Sequence, residues 1–174
     1  MRLAVVAYPA LNEADAAWLE TVRLSHDPQA SFIRAHFTLL FPCEADPDVV
    51  LGQAQRALAG APPIHFTARE FQAVRDRDNV GGHVFLVPDA GRLQFAAVHE
   101  RLYSGVLREH LRAVLFVPHI TVGAAGDFQN CAALAAELAA SGRLIRGTVG
   151  TASVVRVDVR PIESLGSIGF AGSS

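Results

Sequence analysis

Short apolar runs alternate with amphipathic stretches along this chain, and prolines, glycines and capping residues punctuate them. Leu3 to Tyr8 is a β-rich run closed by Pro9, which predicts a first strand. Asn12 then offers an N-cap ahead of Glu13, Asp15, Trp18, Leu19 and Val22, whose spacing is helical. Phe32 to Phe41 predicts a second strand, stopped by Pro42. Asp46-Pro47 opens a second helix, to about Leu58, with its proline in the first turn.

Ile64 to Val74 and His83 to Val87 read as paired strands joined by the charged turn Arg75 to Gly82, where Asn79 and Gly81-Gly82 can take positive φ. A long helical pattern follows from Asp89 as its cap to Leu111, with a break near Gly105, and leads into a strand from Leu115 to Val122. Asp127 caps a helix to about Ala140, and Gly142 ends it. Strands from Leu144 to Val149 and from Ser153 to Val159 complete the pattern. Strand-helix-strand-helix order occurs in both halves, which predicts two similar α+β lobes interleaved in one domain, residues 1–174.

The chain has 174 residues, 51% hydrophobic and 18% charged, enough apolar material for such a core without disulfide staples. A formal net charge of -2 and no long run of like charge exclude a polybasic tail gripping nucleic acid through many phosphates, so any RNA contact is expected to be local. All 15 basic residues are arginine, a compositional bias that also suits bidentate phosphate contacts. Cys43 and Cys131 form no CxxC pair and no disulfide-rich spacing, so a reducing compartment is expected. Pro9 breaks the apolar start that otherwise resembles a short leader, and no stretch approaches the roughly 20 apolar residues that span a bilayer. A cytoplasmic protein with no membrane partner and no obligatory protein partner is expected.

The chemistry concentrates in two strings, His36-Phe37-Thr38 and His119-Ile120-Thr121. Along a strand, residues two apart point to the same side, so each string presents an imidazole beside a hydroxyl while Phe37 and Ile120 anchor in the core. Breaking or opening a phosphodiester needs a base, an acid and donors for the nonbridging oxygens. Two imidazoles, with an ordinary pKa of about 6.5, and two hydroxyls supply that set. Both strings lie in strongly apolar surroundings, where a polar pair needs a reason. Arg34, two residues before His36, is a candidate for a further phosphate contact. A zinc site would want a third protein ligand, and no HExxH or Cys/His cluster supplies one. His26, His65, His83, His99 and His110 have no partner at an interpretable spacing and read as surface or core positions.

At these residues the sequence resembles the two-histidine phosphoesterase superfamily, which includes 2′-5′ RNA ligase-like proteins and 2′,3′-cyclic phosphodiesterases. Pro118-His119-Ile120-Thr121 is especially similar to the second motif of that group. The resemblance implies an α+β, bilobal fold: two pseudo-symmetric lobes, each an antiparallel sheet with outer helices, around a central cleft. It implies His36 and His119 as the catalytic pair, Thr38 and Thr121 as phosphate-binding hydroxyls, and neither metal nor cofactor. The expected activity is opening of 2′,3′-cyclic phosphates, or cleavage of related phosphodiesters, at RNA ends or on small nucleotides. The alternative is a noncatalytic RNA-end or nucleotide-binding module with the same cleft. Two histidines favour the enzyme, since arginine serves phosphate binding alone as well.

Overall fold

A computed structural model describes residues 1–77 and 80–171. In chain order its elements are β1 (Arg2–Ala7), β2 (Ala10–Leu11), α1 (Glu13–His26), β3 (Phe37–Glu44), α2 (Pro47–Leu58), β4 (Ile64–Arg75), β5 (Gly82–Ala90) and α3 (Arg92–Leu102). A 3₁₀ turn (Gly105–His110), β6 (Ile120–Ala125), α4 (Phe128–Ala140), β7 (Ile145–Val149), β8 (Thr151–Arg156) and β9 (Glu163–Gly169) follow. Three of the predicted helix starts form with side-chain caps: oxygens of Asn12, Asp46 and Asp127 accept the N–H groups of Asp15, Asp48 and Gln129, satisfying donors left over at each helix start.

All registered strand pairs are antiparallel, and the sheet runs β2-β7-β4-β5-β6-β3-β1-β8-β9. Helices α1 and α4 pack on the β4, β5 and β6 side, whereas α2 lies on β1, β8 and β9, with α3 beside it on β3. The two halves of the sheet meet where β6 pairs with β3, and there the register holds one residue pair, Phe37 opposite Ile120. Phe37 is 1% exposed and packs on Phe95 and Phe66, with ring centroids 4.3 and 5.1 Å away. β1 is buried on both faces: Leu3, Val5 and Ala7 join the main core, while Ala4 and Val6 join a second cluster with Ile33 and Val155.

The fold departs from the sequence pattern at strand ends. The second strand begins at Phe37, not Phe32, and runs through Pro42. Pro42 fits because β1 and β3 slip register there, Leu3 facing Cys43 and Val5 facing Leu40, so the bulge leaves no ladder donor to lose. The sixth strand begins at Ile120, not Leu115, so both motif histidines stand just ahead of their strands. Asp89 lies inside β5, and helix α3 instead starts after Gly91 at φ 91°, where a Cβ would meet the His65 carbonyl oxygen at 2.8 Å. The break at Gly105 is present, with φ 60°. Gly82 owes its place to crowding: a Cβ there would lie 2.6 Å from the Val74 carbonyl oxygen. Asn79 lies outside the described residues. Strands β2 and β9 have no counterpart in the sequence reading.

Because Phe37 fills the seam between the half-sheets, Phe37→Ala is expected to lose about 3–5 kcal/mol of unfolding free energy. Urea denaturation checks this, and Phe37→Leu, which keeps more apolar volume at the seam, should lose less.

Candidate active site

Both H-x-T strings enter the sheet alike: His36 directly precedes β3, and His119 directly precedes β6. The one registered pair between β3 and β6, Phe37 opposite Ile120, is the middle residue of each string, so the two strings lie side by side at the seam. Opposed residues share a face and successive residues alternate, so Phe37 and Ile120 face the core and the four polar side chains face away from it.

One backbone device orients both rings. His36 Nδ1 lies 2.7 Å from the Arg34 carbonyl oxygen, and His119 Nδ1 lies 2.7 Å from that of Val117. A carbonyl only accepts, so Nδ1 carries the proton in each ring and Nε2 presents its lone pair. Among the described residues, neither Nε2 and neither threonine hydroxyl has a protein hydrogen-bond partner. No buried side-chain polar atom there lacks one, so each of the four groups keeps some solvent access on half-buried residues.

The walls around the rings strip water from their charged forms. Burial pushes His36 down from 6.5 to about 4, helped by the Arg23 charge and opposed by the Arg34 carbonyl and Asp27. Burial likewise pushes His119 down to about 4, opposed by the Val117 carbonyl and reinforced by His36 and His83. Both imidazoles are therefore neutral at pH 7 in the free protein.

Several supporting residues carry no H-x-T signal. Phe85 stacks on His119, centroids 3.6 Å apart and planes at 18°, and His83 continues the same face of β5, held by Asp76 at 2.9 Å. Along β5, His83 and Phe85 are the half-buried positions that alternate with buried Gly82, Val84 and Leu86. Tyr8 meets His36 edge-on at 6.2 Å. Behind the rings, α1 buries Arg23, whose guanidinium donates to Asp27 Oδ2 at 2.8 Å and to Glu20 Oε2 at 3.1 Å. The same guanidinium reaches the Thr121 carbonyl oxygen at 3.2 Å, and Glu20 Oε1 accepts the Ala35 N–H at 2.7 Å.

His36 and Thr38 line one cavity of about 230 Å³. Arg34 does not line it. Residues 31–36 form no strand, and Arg34 opens on a neighbouring depression with its guanidinium 4.8 Å from the centroid of the Tyr8 ring, which also meets His36. Of the other histidines, exposed His65 hydrogen-bonds the Thr148 hydroxyl and buried His99 the Leu39 carbonyl, both at 2.9 Å. Among the described residues, no three His, Cys, Asp or Glu side chains are placed to hold a metal ion, and no helix is long and apolar enough to cross a membrane.

A sequence model of the 2′-5′ RNA ligase superfamily matches residues 11–161, a span that includes both strings. The chain belongs to the 2′-5′ RNA ligase superfamily. It is 29% identical over 126 residues to a Geobacillus kaustophilus protein named "Putative phosphoesterase GK0864", covering 71% of this chain and 69% of that one. The fold is similar to the crystal structure of TT0787 of Thermus thermophilus, with TM-score 0.65, 19% identity and 100% of both chains covered. It is also similar to E. coli LigT crystallised with 3′-AMP, with TM-score 0.60, 13% identity and 98% of each chain covered. As a member of this two-histidine superfamily the chain has the mixed α/β, curled antiparallel-sheet architecture of its structural neighbours.

Two outcomes follow for this superfamily member. Arg23→Met leaves buried Asp27 without its countercharge, and a loss of about 3–5 kcal/mol is expected in chemical denaturation. Between pH 6.5 and about 4 the unfolded chain protonates these two histidines while the folded chain does not, so stability should fall as pH falls through that window. Melting temperatures should show a shallower fall for the double variant His36→Gln/His119→Gln.

Proposed function

We propose that this protein is a phosphoesterase that opens 2′,3′-cyclic phosphates, or cleaves related phosphodiesters, at RNA ends or on small nucleotides, with His36 and His119 as the acid–base pair. The observation that most supports this reading is the arrangement of two imidazoles in one tautomer and two hydroxyls, all with some solvent access on one apolar-backed patch. Superfamily membership supports phosphoester chemistry, and the crystallisation of LigT with 3′-AMP supports a nucleotide as ligand.

In the assignment we favour, His119 Nε2 takes a proton from the attacking water, and the phosphorus–oxygen bond to the ribose O3′ breaks. His36, carrying a proton on Nε2, delivers it to that leaving oxygen, and the product is a 2′-phosphate. Thr38 and Thr121 hydroxyls donate to the nonbridging oxygens, where charge builds in the transition state. The near-symmetric pairing of the motifs permits the reverse roles, in which case the product is a 3′-phosphate. Arg34, from beside Tyr8, adds positive charge at the flank of the site rather than a contact in the His36 cavity. Two imidazoles carry both proton transfers, so no divalent ion is required.

His36→Ala and His119→Ala should each lower kcat by about 10²–10⁴ in a folded protein, the range of a lost acid or base. Thr38→Val and Thr121→Val should cost less, and near-wild-type turnover in either histidine variant removes the pairing. Chelator-treated protein should keep its rate.

The pH profile carries a sign. An acid must hold a proton, and both rings lose theirs near pH 4 in the free protein, so the bell of kcat/KM should centre on the acidic side of neutrality. A bound phosphate anion favours the imidazolium form, so the bell of kcat should lie at higher pH than that of kcat/KM. A flat profile from pH 4 to 8, read by phosphorus NMR, contradicts the mechanism.

A further inference from the structure

The cavity lined by His36 and Thr38 also reaches residues of β1 and of the segment after β8, and His119 is not among its lining residues. Its lining includes the apolar Ala4, Val6, Ile33, Val157 and Ile162, the polar Gln29, and two exposed arginines, Arg2 and Arg160. Among the described residues neither is neutralised. Arg2 makes no side-chain hydrogen bond or ion pair there. Arg160 donates to the Val157 and Val159 carbonyl oxygens at 2.8 and 2.9 Å and lies over the Phe32 ring, with no carboxylate partner among those residues. The nearby carboxylates have other cationic partners: Arg156 holds Asp158 at 2.8 Å and Glu163 at 3.9 Å, Asp158 also accepts from the Arg2 backbone N–H, and Glu44, across the strand pair from Arg2, holds the N-terminal ammonium at 3.3 Å.

Two arginines whose guanidiniums make no ion pair among the described residues, beside apolar side chains, attract an anion carried on a less polar body. At about 230 Å³ the space is below the roughly 300–1,000 Å³ of a pocket that encloses a whole drug-sized ligand, so it takes a sugar and one phosphate rather than a dinucleotide. The fork geometry of arginine matches phosphate oxygens.

We propose that this cavity is a second-phosphate subsite, in which the ribose next to His36 lies against the apolar side chains and Arg2 and Arg160 bind the phosphate on its 5′ oxygen. The inference rests on His36 and His119 being the reactive pair, and it deepens that reading by naming a substrate class. The protein selects cyclic phosphate ends whose ribose carries a 5′ phosphate. That group is a monoester on a free nucleotide or the internucleotide diester of an RNA chain.

The test compares kcat/KM for adenosine 2′,3′-cyclic phosphate, its 5′-phosphorylated form, and an adenosine dinucleotide ending in the cyclic phosphate. At least one of the latter two should exceed the first by about tenfold, a gain expected mainly in KM. If the monoester alone gains, the ligand is a free nucleotide; if the dinucleotide gains equally, it is an RNA end, and either result upholds the subsite. R2Q and R160Q should each cut that preference several-fold. R2Q decides if R160Q fails to fold, because the Arg2 side chain has no hydrogen bond or ion pair to lose among the described residues. A wild-type preference under twofold, or a preference intact in R2Q, overturns the subsite. If none of the three compounds turns over, the acid–base reading fails instead. Calorimetric titration with adenosine 5′-phosphate and adenosine then decides the subsite: tighter binding of the phosphorylated form, lost in R2Q, upholds it, and equal binding overturns it.

Discussion

One buried guanidinium ties the two halves of the site together. Arg23 is 1% exposed, and its donors are shared among Asp27, Glu20 and the carbonyl of Thr121, while Glu20 turns its other oxygen to the N–H of Ala35. A charge taken out of water is tolerable only when such partners surround it. Here the partners come from α1 and from the backbone beside each H-x-T string. The sheet itself joins the strings by one residue pair, so this network supplies the cross-bracing that backbone pairing does not. Its charges also reach His36, Arg23 disfavouring and Asp27 favouring the imidazolium.

Around that brace the two strings are near copies. Each ring donates Nδ1–H to the carbonyl two residues back, each apolar middle residue enters the core, and the two middle residues face one another across the seam. A site built this way starts with two equivalent neutral imidazoles, and the surroundings must make them differ. They do differ: Phe85 lies flat on His119, whereas His36 meets only the edge of Tyr8 and borders the cavity that Arg2 and Arg160 also line.

The helix starts at Asn12, Asp46 and Asp127 were legible because capping is settled within three residues, and the H-x-T pairs because a two-residue period survives a shift of the strand boundary. Strand ends were not legible. The ring-to-carbonyl bonds of His36 and His119 belong to loops that look as apolar as the strands they precede, and Pro42 reads as a stop until the bulge opposite it is known. β9 alternates serine, glycine and isolated apolar residues, so it carries no hydrophobic period. Arg23 reads as a solvent-facing position on an amphipathic helix, and its burial depends on a carbonyl 98 positions further along the chain.

An open sheet of nine strands has two edges, and each is a potential template for a further chain. Here one edge is β2, two residues long, and the other is β9, interrupted by Gly166 and opened by Glu163. A two-residue strand offers an incoming backbone too few donors and acceptors to hold register, and a glycine-broken edge with an exposed carboxylate disfavours stacking of like copies. The same poverty of pattern that hides β2 and β9 in the sequence thus protects the folded protein against edge-to-edge aggregation.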